Sequence, residues 1–177
     1  MISLANSPAA ASDKPVRRRS KTQSGSAILE GALVILPLMA ICFALMDFPL
    51  AIFIQNTLRN AVREGVRYAI TQQTGAGGQD AAIKTVVENN SMGFFNEGDL
   101  TSTPPKSTFT ITYYDKRTLA DAGAGAGSNG EGNICVITAT IQRGWMAPLW
   151  RDTGLLSFSA SSSDVMEAPP GGILPSR

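Results

Sequence analysis

Two carboxylates, Glu30 and Asp47, are the only charges in the stretch from Ser26 to Ile54. A carboxylate beside lipid is expensive to keep ionised unless a cation meets it, so the chemistry open to this pair is ion pairing. Catalysis has little to draw on. The chain has no histidine, which removes the commonest general base and the commonest metal ligand together. No Ser–Lys arrangement stands out, and no P-loop pattern occurs. Gly125-Ala126-Gly127-Ser128-Asn129-Gly130 satisfies G-x-G-x-x-G, but a dinucleotide site needs a strand before it and a helix after it. Here an alanine-rich polar stretch precedes and a strand-like stretch follows. We expect no enzymatic activity, no cofactor and no metal.

A second arrangement is Gly25-Ser26-Ala27-Ile28-Leu29-Glu30. An ordinary secretory signal is cut after its apolar region, whereas here the small residues stand before it. A cut between Gly25 and Ser26 would remove a basic leader and leave the apolar segment in the membrane. It would also place a free amine four residues from Glu30. An amine of the same or a neighbouring helix could then pair with Glu30 and set a register between helices. In the other reading Glu30 merely sits at the edge of the span and reaches headgroups. Asp47 lies ~25 Å further along a helix axis and carries the same two readings, assembly or outer interface. Pro37 removes a helix hydrogen bond and predicts a kink, which membrane helices tolerate.

The charge distribution frames these residues. Five basic side chains (Lys14, Arg17, Arg18, Arg19, Lys21) face one acid, Asp13, in residues 1–25, while residues 55–177 hold ten basic and eleven acidic groups. The net charge of +1 therefore hides a basic leader on a nearly neutral chain, which excludes a broad nucleic-acid surface. The sixteen uncharged residues Gly31–Met46 give ~24 Å of helix, and Ser26–Ile54 gives ~43 Å, against a hydrocarbon core of ~30 Å. We place the transmembrane part at about 31–54. The basic cluster before it predicts an N-inside, C-outside topology. Cys42 falls in lipid and Cys135 beyond it, so no disulfide is expected between them.

Helical periodicity continues past the span. Leu58, Val62, Val66 and Ala69 recur on one face, with Ala61 and Gly65 beside them, and Arg59, Arg63 and Arg67 form the opposite stripe. Glu64 is placed to pair with Arg67. Gly75-Ala76-Gly77-Gly78 predicts the stop. A second helix is expected from Gln79 or Asp80 to Asn90, with Ala82, Ile83, Val86 and Val87 as its apolar face. The period then changes to two: Phe109, Ile111 and Tyr113; Cys135, Ile137, Ala139 and Ile141; Leu156, Phe158 and Ala160. These predict three or four antiparallel strands with one covered face. Residues 120–133 read as a flexible loop, and Trp145 and Trp150 as core or interface residues. The expected class is α+β: a leader over 1–25, a long N-terminal helix over 26–74, a small exported antiparallel-sheet domain over 75–167, and a flexible tail over 168–177.

A leader ending in Gly25, followed by Ser26-Ala27-Ile28-Leu29-Glu30 and an apolar helix, resembles the type IV prepilin cleavage pattern. Glu30, Leu36-Pro37-Leu38, Asp47 and Val62-Arg63-Glu64-Gly65-Val66-Arg67-Tyr68 together resemble the TadE-like pseudopilins of the tight-adherence (Flp) pilus system. SASSSDVMEAP at 159–169 is similar to that family's C-terminal strand. Gly31 stands where the family usually has an aromatic, and Asp47 where it usually has a glutamate. TadF-like and TadG-like proteins of the same system remain open. The resemblance implies an inner-membrane minor pilin with a periplasmic head and no catalysis. Its implied partners are pilin and pseudopilin subunits, a prepilin peptidase and the inner-membrane assembly platform. The competing expectation is an uncleaved, signal-anchored exported domain that binds a ligand or acts as an enzyme.

Overall fold

The computed structural model describes residues 23–101, 105–125, 127–145 and 154–177. The leader up to residue 22 and Trp150 lie outside the described residues. Helix α1 spans Gln23–Ile70, α2 Gln79–Asn90 and the short α3 Glu97–Leu100. Strands β1 (Ser107–Tyr114), β2 (Ile134–Gly144) and β3 (Leu155–Val165) form one antiparallel sheet in the order β1-β2-β3. The fold is α+β, a long apolar N-terminal helix followed by a three-stranded sheet domain, as the periodicity predicts.

The chain divides into two compact units between Met39 and Ala40, inside α1. In the first, the large apolar side chains Ile28, Leu29, Leu33, Val34, Ile35, Leu36, Leu38 and Met39 are all exposed. A helix that is apolar on every side belongs in lipid or a core. α1 is long and apolar enough to cross a membrane.

In the second unit α1 becomes amphipathic. Leu58, Ala61, Val62, Val66 and Ala69 are buried, and Arg59, Arg63, Glu64 and Arg67 face outward. The buried stripe lies on the covered side of the sheet, with Ile83 and Val87 of α2. Tyr113, Cys135, Ile137, Ala139, Ile141, Phe158 and Ala160 come from the strands, at the alternation expected of a half-covered sheet. The opposite face is hydroxylated: Thr138 and Ser161 share a 3.0 Å hydrogen bond, and Thr140 donates to Ser159 at 3.1 Å.

Gly65 marks the closest approach. A Cβ built there would stand 2.5 Å from Cγ2 of Val87 and 3.5 Å from Cδ1 of Ile137. α1 can therefore lie against α2 and β2 only because this position has no side chain.

The helix ends earlier than Gly75–Gly78 predicts. It stops at Ile70, and Gln72 takes a left-handed φ of 55°. The last carbonyls of a helix lack partners within it, and here the residues just beyond α1 and two distant segments supply them. The Thr71 hydroxyl donates to Tyr68 O at 3.0 Å, Gln79 Nε2 to Ala69 O at 3.0 Å, and the Glu167 amide to Ile70 O at 3.0 Å. A local glycine stop is thus replaced by tertiary capping. Gln79, fully buried, also accepts from Asn129 Nδ2 at 2.6 Å, and Gln72 Nε2 donates to Asn129 O at 2.8 Å.

Two segments that composition reads as flexible are drawn into this knot. In the 120–133 loop, Ser128 and Asn129 are buried. In the 168–177 tail, Ser176 O accepts from the Gln79 amide at 2.7 Å and Arg177 pairs with Asp80 at 2.9 Å. Arg177 also lies 4.4 Å over the Tyr113 ring, whose hydroxyl donates to Asp80 at 3.0 Å. The apolar period carries no record of these polar contacts, because they join residues far apart in sequence.

Two outcomes test the architecture. Gly65→Ala gains helix propensity but forces Val87 aside, and should destabilise the domain by about 1–3 kcal/mol. Combined with Val87→Ala it should lose less than the sum of the single changes, read from urea unfolding in detergent by near-UV circular dichroism. Gln79→Leu removes one of the two hydrogen bonds made by the Ala69 carbonyl and one of the two made by Asn129 Nδ2, and should cost roughly 0.5–1.5 kcal/mol. An unchanged urea midpoint would show that the knot contributes nothing to stability.

Candidate functional site

Gly25 and Ser26 lie in the first turns of α1, which begins at Gln23. The first four amides of a helix have no acceptor within it, so opening the backbone here breaks few bonds. A Cβ at Gly25 or at Gly31 would meet nothing within 4 Å. Neither glycine is required by packing among the described residues. Ser26 Oγ donates to Glu30 Oε1 at 3.4 Å, one turn on, and both residues are exposed. The face that carries Ser26 and Glu30 is open to a neighbour or to lipid.

Further along, α1 remains helical through Pro37. The ring withholds the amide that would bond the Leu33 carbonyl. Asp47 is only 7 % exposed. It borders a small cavity of about 20 Å³ with Leu50, Ile54, Arg143, Trp145 and Phe158 among its walls. Arg143 is itself anchored, its Nη2 donating to the carbonyls of Gly93 and Phe94 at 3.2 and 3.0 Å. Leu50, Ala51 and Ile54 pack with the domain core. The outer boundary drawn at residue 54 therefore includes turns whose inner face meets protein rather than lipid.

The motif at 63–68 splits by direction. Gly65 faces inward at the crossing with α2, Tyr68 is half-buried against the core, and Arg63, Glu64 and Arg67 are exposed. Among the described residues no ion pair joins Glu64 to Arg67, so the expected i, i+3 pair does not form. The outward charges are left as a surface and the glycine as a packing device.

Two buried groups, Cys135 and Tyr113, are shifted away from reactivity at neutral pH. Burial pushes the Cys135 thiol up to about 12 and the neighbouring Tyr113 phenol above its ordinary range. Both stay protonated, and Cys42 and Cys135 are free thiols. The described residues hold no group of three His, Cys, Asp or Glu side chains fit for a metal. Within the G-x-G-x-x-G segment residues 127–129 form a turn, and the Asn129 side chain is spent on Gln79 and on the Pro175 carbonyl. Sequence reasoning missed Gln72, Gln79, Asn129, Asp80 and Arg177. The one available signal was a Gln-Asp pair opening α2 after a glycine-rich turn.

The structure therefore gathers the residues singled out in the sequence onto one element. Gly25, Ser26, Glu30, Pro37, Asp47 and the 63–68 motif follow one another along α1, with the first three within two turns. No curated protein and no solved structure matches the chain. Residues 25–67, on α1 alone, match the family model described as TadE-like protein.

Proposed function

We propose that this chain is a minor pseudopilin of a tight-adherence (Flp) pilus. In this reading it sits in the inner membrane with its N-terminus in the cytoplasm and its sheet domain in the periplasm. A prepilin peptidase cuts between Gly25 and Ser26, and α1 then packs against pilin or other pseudopilin helices at the assembly platform. The carrying observation is that the TadE-like segment coincides with α1, where Gly25, Ser26 and Glu30 stand together at the head of the apolar run.

The physics of such a step is electrostatic. Each Lys or Arg near an anionic leaflet contributes about 1 kcal/mol of attraction. The leader's five basic residues hold the helix at the cytoplasmic surface until they are removed. Cutting exposes the Ser26 amine one turn from the Glu30 carboxylate. Pairing of Glu30 with the amine of an adjacent helix would relieve the penalty of a carboxylate near lipid and select one stagger between helices. Asp47 and Arg143, on the wall of one cavity, set the helix against its own head domain. The protein acts by packing and register, without catalysis.

One observation favours the signal-anchored alternative. The Gly25–Ser26 bond is helical, and a peptidase requires that turn to open. Intact mass and N-terminal sequencing of the membrane-extracted protein, with and without the peptidase, separate the readings. A peptidase-dependent start at Ser26 is expected, and an uncut leader would sink the proposal. Glu30→Ala should abolish pilus assembly while leaving membrane insertion intact; normal piliation in that variant would count against the register role.

A further inference from the structure

We infer that Asp80, Tyr113, Gly123 and Ser128 form a recognition site for an arginine-bearing extended peptide segment, and that the chain's own residues 175–177 occupy it as a detachable ligand. The inference concerns the sheet domain alone and is independent of the pseudopilin reading.

The site is complete for a guanidinium. Nε and Nη2 of Arg177 donate to Asp80 Oδ2 at 3.1 and 2.9 Å, and Nη1 donates to Gly123 O at 2.9 Å and to Ser128 Oγ. The group lies 4.4 Å over the Tyr113 ring, so its edge meets acceptors and its face meets an aromatic. A planar fork fills such a site, whereas the compact ammonium of lysine does not. Asp80 is itself held in place, its Oδ1 accepting from the Tyr113 hydroxyl at 3.0 Å. The Arg177 side chain is left only 13 % exposed.

The backbone of the segment is recognised as well. Ser176 O accepts from the Gln79 amide at 2.7 Å, and Pro175 O accepts from Asn129 Nδ2 at 3.1 Å. Gly78 makes room for them. Its φ is +94°, and a Cβ built there would stand 2.8 Å from Arg177 C and 3.2 Å from Ser176 O. The segment therefore lies directly on a position that has no side chain.

The stretch that joins this segment to the sheet is of the opposite kind. Met166 is buried just after β3, but residues 168–174 are exposed apart from half-buried Pro169. Ile173 is 79 % exposed. Pro169-Pro170-Gly171-Gly172 closes a tight turn, with the Gly172 amide donating to Pro169 O at 3.0 Å. Seven residues fully extended reach ~24 Å, and the turn leaves part of that length slack. A closely recognised segment on a slack, exposed tether behaves as a ligand held at an effective concentration in the millimolar range. An arginine-bearing segment supplied in trans competes for the same seat.

The test uses the full chain carrying Arg177→Ala, whose own tail has lost the guanidinium. The peptide Ile-Leu-Pro-Ser-Arg, the sequence of residues 173–177, is titrated into the isotopically labelled protein in detergent. Binding is read from the amide signals of Gln79 and Ser128. Saturable binding is expected, with the unsubstituted chain needing at least tenfold more peptide because its own tail competes. A peptide ending in lysine should bind at least tenfold more weakly, and adding Asp80→Asn should abolish the effect. A folded Arg177→Ala chain that does not bind the peptide, or that binds the lysine peptide equally well, would overturn the inference. So would loss of the near-UV circular dichroism of the Arg177→Ala chain, which would make the tail an inseparable part of the fold.

Discussion

α1 has to be compatible with two environments, and the remaining structure follows from that demand. Its first unit presents leucine, isoleucine, valine and methionine on every side, which is stable only where no water competes. Its second part keeps one buried stripe and an opposite row of arginines. The change of pattern, not a break in the helix, separates anchor from domain. A continuous backbone across this change satisfies its own hydrogen bonds, which lipid requires of any spanning segment.

A sheet that is apolar on one face must bury that face against another layer, and α1 supplies it together with α2. The contact is made tight by Gly65, which lets Val87 and Ile137 approach the helix backbone. The same sequence motif thus does two things at once. Its glycine closes the core, while Arg63, Glu64 and Arg67 are held outward on a helix that cannot roll without opening that core.

The polar knot around Gln79 and Asn129 completes the other end. Every helix must dispose of its terminal carbonyls, and α1 does so through Thr71 and Gln72 just beyond it, Gln79 at the start of α2 and the Glu167 amide after β3. Segments rich in glycine and alanine are held by a few hydrogen bonds to buried amides. Arg177, charged and near the end of the sequence, becomes an interior strut by pairing with Asp80 and stacking on Tyr113.

Local pattern alone determined much of this protein. The charge-free run, the helical stripe from Leu58 to Ala69 and the alternation in the three strands each record one residue's preference for one side of one element. Such preferences are written every two or every three to four positions, and so they are legible without a structure. The bounds of α2 at Gln79 and Asn90 and the buried residues of β2 followed from them. Only the tertiary structure decided where α1 stops, why Gly65 must lack a side chain, and that Asp47 turns toward the domain. It also decided that Ser128 and Asn129 of the loop and the last residues of the tail are tied down by hydrogen bonds. These depend on pairs such as Gln79 with Asn129, or Asp47 with the wall of Arg143 and Trp145, separated by fifty residues or more along the chain. No periodicity links such partners, and their hydrogen bonds and contacts exist only once the chain has folded.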